Sequence, residues 1–131
     1  MQYINAVQVI GTKRPFTCTI QTNENASNFN PFDLTSYSVR FRVLGSPTAN
    51  AKVLIEHLIT GNTDIETVGQ ITNAAAGEFT FTLSAQETLD LGLGDFPISL
   101  ELVDTNTNEH IFTITEGGRN GEFNKIRIVQ V

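Results

Sequence analysis

The residues best suited to metal chemistry are Cys18, His57 and His110, because the chain holds one cysteine and two histidines. A zinc site needs three or four nitrogen or sulfur ligands. Neither histidine stands in a His-x-His or His-Glu-x-x-His pattern, and Cys18 lies in the alternating run "PFTCTI". We therefore expect no metal ion, and we expect Cys18 to be a small buried apolar residue rather than a nucleophile.

The string "DTNTNE" places Asp104, Asn106 and Asn108 at positions 1, 3 and 5 of a calcium loop. Such a loop needs Gly at position 6 and Glu at position 12, but Glu109 and Thr115 stand there. A polar hairpin turn is the better interpretation. The chain also has no Gly-x-Ser-x-Gly elbow. A Ser/His/Asp triad stays open from sequence alone, but we expect no enzyme and no cofactor.

Net charge and hydropathy limit the classes of partner that the chain could bind. The net charge is −6 with only eight Lys and Arg residues, whereas nucleic-acid binding depends on cations that neutralise phosphates. No stretch approaches the roughly 18 apolar residues of a membrane helix, and the first residues lack the pattern of a signal peptide. We therefore expect no nucleic-acid partner and no membrane association.

Along most of the chain, apolar and polar residues alternate with a period of two, which is typical of β-strands. In "FDLTSYSVRFRV" the side chains of Tyr37, Val39, Phe41 and Val43 alternate with polar ones. Short strands separated by turns predict an all-β fold: a single antiparallel immunoglobulin-like β-sandwich of about eight or nine strands, in one domain over residues 1–131. The predicted strands cover 3–10, 15–21, 36–44, 52–59, 65–71, 78–83, 95–103, 110–115 and 122–131.

Three local features carry further predictions. Ser84 and Glu87 have the spacing of a helix capping box, so one short helix is expected near 84–91. Residues 52–59 are apolar on both faces, as in a strand covered on both sides. "TGNTD" (60–64) is a candidate hairpin turn into the strand 65–71.

The segment 22–31, "TNENASNFNP", has no apolar period and is rich in Asn. It is predicted to be a long loop or arm, and loops of that length often have a function. Asn23, Asn25, Phe29 and Phe32 are the predicted partner-binding residues, with Phe32 just after the arm. The two phenylalanines either anchor a partner or hold the arm against the body. Residues 1–10 and 122–131 are further candidate partner-facing segments.

Three motifs resemble small immunoglobulin-like domains of bacteriophage structural proteins, among them the N-terminal domain of phage baseplate upper proteins. They are Asp33-Leu34-Thr35-x-Tyr37, Gly77-x-Phe79-x-Phe81, and the crossover from Leu83 through Thr88 to Leu91 and Gly92. The resemblance covers roughly residues 32–131. The baseplate protein continues into a helical stalk, which the present sequence does not, so the resemblance suits a head, neck or tail accessory role equally well.

The resemblance implies a non-enzymatic virion structural protein: a head decoration, the base of a head fibre, or a neck or tail accessory. Its partners would be other virion structural proteins and copies of itself, and its location would be the virion after synthesis in the bacterial cytoplasm. The alternative is an exposed module of a phage fibre that binds a host surface or a carbohydrate. Against a sugar site, the chain has no Trp and only two Tyr to stack on pyranose rings.

Overall fold

The computed structural model describes residues 4–20, 32–48, 50–115 and 123–131. These residues contain nine strands and one α-helix. The strands are β1 Asn5–Val9, β2 Phe16–Thr19, β3 Tyr37–Leu44, β4 Val53–Ile59, β5 Ile71–Asn73, β6 Glu78–Phe81, β7 Gly94–Asp104, β8 His110–Thr113 and β9 Lys125–Val129. The helix α1 is Ala85–Leu91.

The strands form two sheets. The larger has the order β1-β9-β7-β3-β4, with β8 also paired to β7, and the smaller has the order β2-β6-β5. Among the described strands only β1 and β9 pair in parallel. In immunoglobulin domains strands B, E and D share one sheet, and G, F, C and C′ share the other. Because β2-β6-β5 and β9-β7-β3-β4 reproduce these two orders, the fold is an immunoglobulin-like β-sandwich, as predicted.

The core lies between the two sheets and is centred on β3. Val39, Phe41 and Val43 are fully buried, so the predicted inward face of this strand is confirmed. The ring of Phe41 packs against that of Phe81 on the smaller sheet, with centroids 4.9 Å apart. This contact joins the two layers at their centre.

The helix α1 forms where the capping box predicts it. The Glu87 amide donates to Ser84 Oγ at 3.2 Å, and the Ser84 amide donates to Glu87 Oε1 at 2.9 Å. The Thr88 hydroxyl accepts a bond from the Gly11 amide at 2.8 Å. The helix is thereby fixed to the segment that links β1 and β2.

The predicted strand over 65–71 is wrong. Residues 65–68 form a turn, and the strand β5 begins only at Ile71. Gly69 has a φ of 114° and passes so close to β6 that a Cβ there would lie 2.3 Å from the Thr80 carbonyl oxygen. This left-handed residue breaks the extended run, and β5 continues into a 3₁₀ turn at Ala74–Ala76.

Two predictions about β4 are also wrong. Its outer face is not covered by the described part of the chain, because Leu54, Glu56 and Leu58 on that face are exposed; the strand also stands at the end of the larger sheet. Nor does "TGNTD" close a hairpin, because β4 and β5 lie in different sheets. The Ile71 amide donates to the Thr60 carbonyl at 2.9 Å, where the chain crosses between the layers.

Candidate functional site: the β4 surface

The edge strand β4 exposes apolar side chains. Val53, Leu54 and Leu58 are 39%, 41% and 43% exposed, while Ile59 at the end of the strand is buried. The other large apolar side chains exposed among the described residues are scattered over β1, α1, the turn before β7, β8 and the last residue: Val7, Leu89, Leu93, Ile111 and Val131. A cluster of exposed apolar residues on one element is typical of an interaction surface.

Beside these side chains lies an ion network on the outer face of the larger sheet. Arg40 and Arg42 on β3 stand between Glu56 on β4 and Glu101 on β7. Arg42 contacts Glu56 at 2.8 Å and Glu101 at 3.5 Å. Arg40 contacts Glu101 at 3.3 Å and Glu56 at 3.7 Å. The two cations and two anions balance, so this part of the face carries no net charge.

We name the apolar residues and this network together the β4 surface: Val53, Leu54 and Leu58 with Arg40, Arg42, Glu56 and Glu101. It holds a shallow depression of about 470 Å³ lined by Arg40, Arg42, Glu56, Leu58 and Asn108. The Arg40 guanidinium also donates to the Asn108 carbonyl at 3.3 Å, which joins the β7–β8 turn to the network. Arg is enriched at protein interfaces, and exposed apolar side chains stand on the strand next to these two Arg residues.

The inner side of β4 is held by a partly buried ion pair. His57 Nε2 lies 2.7 Å from Glu87 Oε2 on α1. Among the described residues, the buried Nδ1 of the same ring has no hydrogen-bond partner. The ring meets Phe41 edge-on, with centroids 5.8 Å apart. The helix therefore supports the strand that carries the β4 surface.

The pair shifts both pKa values. Burial lowers the pKa of His57, but the hydrogen bond and the negative charge of Glu87, together with smaller contributions from the backbone of Val68 and Thr82, outweigh it, so this pKa lies above its usual value. Burial raises the pKa of Glu87, but the bond from His57 and the Ser84 amide outweigh it, so this pKa lies below its usual value. Both side chains are thus favoured in their charged forms.

The predicted partner-binding residues of the arm are only partly within the described structure. Asn23, Asn25 and Phe29 lie outside the described residues, and their role stays a prediction. Phe32 is half-buried, and its ring lies 5.5 Å from that of Tyr37 and 5.8 Å from that of Phe112. Much of this ring thus packs on the chain itself, and whether the rest contacts a partner stays a prediction.

The described residues that flank the arm lie together. The Phe32 amide donates to the Ile20 carbonyl at 3.0 Å, and the Ile20 amide donates to the Gly77 carbonyl at 2.9 Å. Of the two terminal candidates, β9 lies inside the larger sheet between β1 and β7, and β1 forms the edge opposite to β4.

The residues considered for metal chemistry lie apart. No three His, Cys, Asp or Glu side chains in the described ranges form a possible metal site. Cys18 is buried, as predicted, and burial raises the pKa of its thiol to about 12. Asp104 accepts bonds from the amides of Asn106 and Thr107, so the calcium-like string is a hairpin turn. No helix among the described residues has the length and apolarity to cross a membrane.

Sequence reasoning missed the β4 surface although its signal was present. "KVLIEHLI" is apolar on both faces. That pattern fits a strand covered on both sides, but it also fits an edge strand whose outer side is an interface.

Comparison with known proteins gives only distant likenesses. No protein-family model matches the chain, and no curated protein sequence matches it. One similar solved structure is the monoclinic form of the ZIG-8–RIG-5 IG1–IG1 heterodimer, with a TM-score of 0.43, 10% identity, and coverage of 98% of this chain and 84% of that one. Another is the ZIG-8 IG1 homodimer, with a TM-score of 0.41, 8% identity, and coverage of 99% and 82%.

Proposed function

We propose that this chain is a non-enzymatic protein-docking domain, a structural subunit of a larger assembly that binds through the β4 surface. The observation that carries the proposal is the exposure of Val53, Leu54 and Leu58 on one edge strand. An exposed apolar edge strand is an aggregation hazard unless a partner covers it. In a docking domain, the partner would cover these exposed side chains.

The ion network suits the same role. Arg40 and Arg42 already pair with Glu56 and Glu101, so no isolated charge would be buried when a partner covers this face. Docking would bury apolar area from β4 and leave paired charges beside it. The surface therefore favours a partner that contributes apolar side chains, rather than one held by opposite net charge.

For the identity of the assembly we propose a bacteriophage virion, in which the chain is a head, neck or tail accessory protein. This part is supported by the resemblance carried by Asp33-Leu34-Thr35-x-Tyr37 and the Gly77-x-Phe79-x-Phe81 strand. The partners would be other virion proteins and copies of this chain. The protein would be made in the bacterial cytoplasm and reside in the particle.

Antibody labelling of purified particles tests the virion role. An antibody against the chain, visualised by negative-stain electron microscopy, should mark regular positions on the head, neck or tail. Label confined to fibre tips would instead support a module that binds a host surface or carbohydrate. Particles that carry no chain by immunoblot would contradict the virion role but leave the docking role standing.

Matched variants test the docking role. Leu58→Lys places a charge on the β4 surface, while Leu89→Lys places the same charge on α1, where Leu89 is also exposed. Leu58→Lys should reduce co-sedimentation of the chain with its assembly, and Leu89→Lys should not. Equal incorporation of both variants, with equal melting temperatures, would contradict docking through β4.

A further inference from the structure

We propose that the depression of the β4 surface receives an aromatic side chain of the partner protein, with the ring lying over the guanidiniums of Arg40 and Arg42 and against Leu58. The inference rests on the proposed docking role of this surface and adds the chemistry of the group that it binds. Three properties of the depression lead to it: its balanced charge, the unused faces of its two guanidiniums and its open shape.

The charged side chains at the depression are already paired. Arg42 Nε donates to Glu56 at 2.8 Å, and the two Arg side chains both contact Glu101. The other residues that line the depression carry no charge. An acidic or basic group of the partner would therefore have to displace an existing ion pair, and no net charge would attract it.

These ion pairs use the edges of the guanidiniums and not their faces. The N–H groups of a guanidinium lie in its plane, so its hydrogen bonds to carboxylates form at the edge, and its faces can stack on aromatic rings. Among the described residues, no aromatic ring lies over Arg40 or Arg42. The chain makes this kind of contact elsewhere, because the Arg14 guanidinium lies over the Phe16 ring, 5.2 Å from its centroid.

The shape and the apolar wall of the depression favour a ring over an aliphatic side chain. The depression has a volume of about 470 Å³, more than any single side chain fills, and Leu58 stands in it directly opposite Arg40. A ring would bury apolar area on Leu58 and would attract the guanidinium cations through its π-electrons. An aliphatic side chain would cover the same charges without that attraction.

Co-sedimentation with the assembly, measured over a range of chain concentrations, tests the role of the guanidinium. Arg42→Lys keeps the charge beside Glu56 but loses the planar face, so it should weaken binding by about three- to tenfold. Arg127→Lys is the matched control on the same sheet, where Arg127 pairs with Asp95 at 2.7 Å outside the β4 surface. It should bind as the unmodified chain does, and both variants should melt as that chain does. Full binding by Arg42→Lys would overturn the inference.

A small aromatic probe tests the chemistry of the bound group without the assembly. p-Cresol, which carries the ring of Tyr, is added to isotope-labelled chain, and its saturated analogue, a methylcyclohexanol, is the control. Intermolecular NOEs from p-cresol to the Leu58 methyls should be at least about twice those from the control, and should fall in Arg42→Lys. Equal NOEs from the two compounds, or equal NOEs at Leu58 and Leu89, would overturn the inference whatever Arg42→Lys does to co-sedimentation.

Further variants separate this inference from the docking role. If Leu58→Lys blocks co-sedimentation while Arg42→Lys does not, the inference is overturned and the docking role stands. If Arg42→Gln weakens co-sedimentation and Arg42→Lys does not, the partner contributes an acidic group, and the inference is overturned in the same way. If none of these variants affects co-sedimentation, both the inference and the docking role are overturned.

Discussion

His57 Nε2 on β4 lies 2.7 Å from Glu87 Oε2 on α1, between side chains 30 positions apart in the sequence. The same carboxylate caps its own helix through the Ser84 amide. One acidic residue thus both starts the helix and holds the inner side of the edge strand. The stability of the β4 surface is thereby linked to the charge of this pair.

We expect Glu87→Gln to destabilise the fold most between pH 4.5 and 6.5, the ordinary pKa values of the two groups. The pKa of His57 is raised on folding, so its contribution is present below its unfolded value and is lost as the pH rises through the folded one. The pKa of Glu87 is lowered, so its contribution is present above its unfolded value and is lost as the pH falls through the folded one. Gln keeps a capping group at this position.

Thermal melting at about pH 3, 5.5 and 9 checks this prediction. The difference between the unmodified chain and Glu87→Gln should be largest at the middle pH. Glu66→Gln is the control: Glu66 pairs with Lys13 at 2.6 Å on the exposed surface, where ion pairs contribute little. A Glu87→Gln difference that stays constant across the three pH values would show that the pair does not contribute through its charges.

Two glycines with positive φ should differ in their tolerance of alanine. A Cβ at Gly77 would lie 2.4 Å from the Ile20 carbonyl oxygen and 2.8 Å from the Phe32 carbonyl oxygen, whereas one at Gly92 meets no atom within 4 Å. Gly92→Ala should cost about 1–3 kcal/mol from its backbone alone, because a φ of 82° with a ψ of −175° is readily adopted only by Gly. Gly77→Ala should cost about 3 kcal/mol or more, since backbone must move. Urea unfolding measures both, and equal costs would contradict the close approach.

Phe41 and Phe81 are the central contact between the sheets, and both are fully buried. Replacing either with Ala should lower the free energy of unfolding by about 3–5 kcal/mol. Their rings touch, so the double variant should lose less than the sum of the two single losses. Leu89→Ala, at an exposed position, should change stability by no more than about 0.5 kcal/mol. Unchanged melting of the Phe variants would mean that the inward face is assigned wrongly.

Cys18 should be inert in the folded chain. Burial raises the pKa of its thiol to about 12, and the thiolate is the reactive form. At about pH 8 iodoacetamide should leave the native protein unmodified and should label it fully in denaturant. Mass spectrometry measures the extent of labelling of the native and the denatured protein. Rapid labelling under native conditions would show that β2 does not direct this side chain into the core.

Much of the fold follows from local patterns. The alternation of Val39, Phe41 and Val43 identifies an inward face, and Ser84 with Glu87 identifies the helix start, because each pattern reflects a period or spacing fixed by backbone geometry. The predicted strand over 65–71 fails because its apolar period does not show the left-handed Gly69, whose conformation is set by its packing against β6.

The site depends on pairings that local patterns do not contain. Leu58 is exposed because it lies on the outer face of the larger sheet, and which face of β4 is outward is decided by how the two sheets pack. The contact between His57 and Glu87 likewise joins an edge strand to a helix 30 positions away. The sequence shows an apolar strand, but which of its faces is exposed follows only from the packing of the two sheets.

Site-directed photo-crosslinking within the native assembly tests the central claim most directly. A benzophenone side chain placed at position 58 should form crosslinks with a neighbouring protein or with a second copy of the chain. The same group at position 89, on the exposed side of α1, should form few. Efficient crosslinks from position 89 with none from position 58 would contradict docking through the β4 surface.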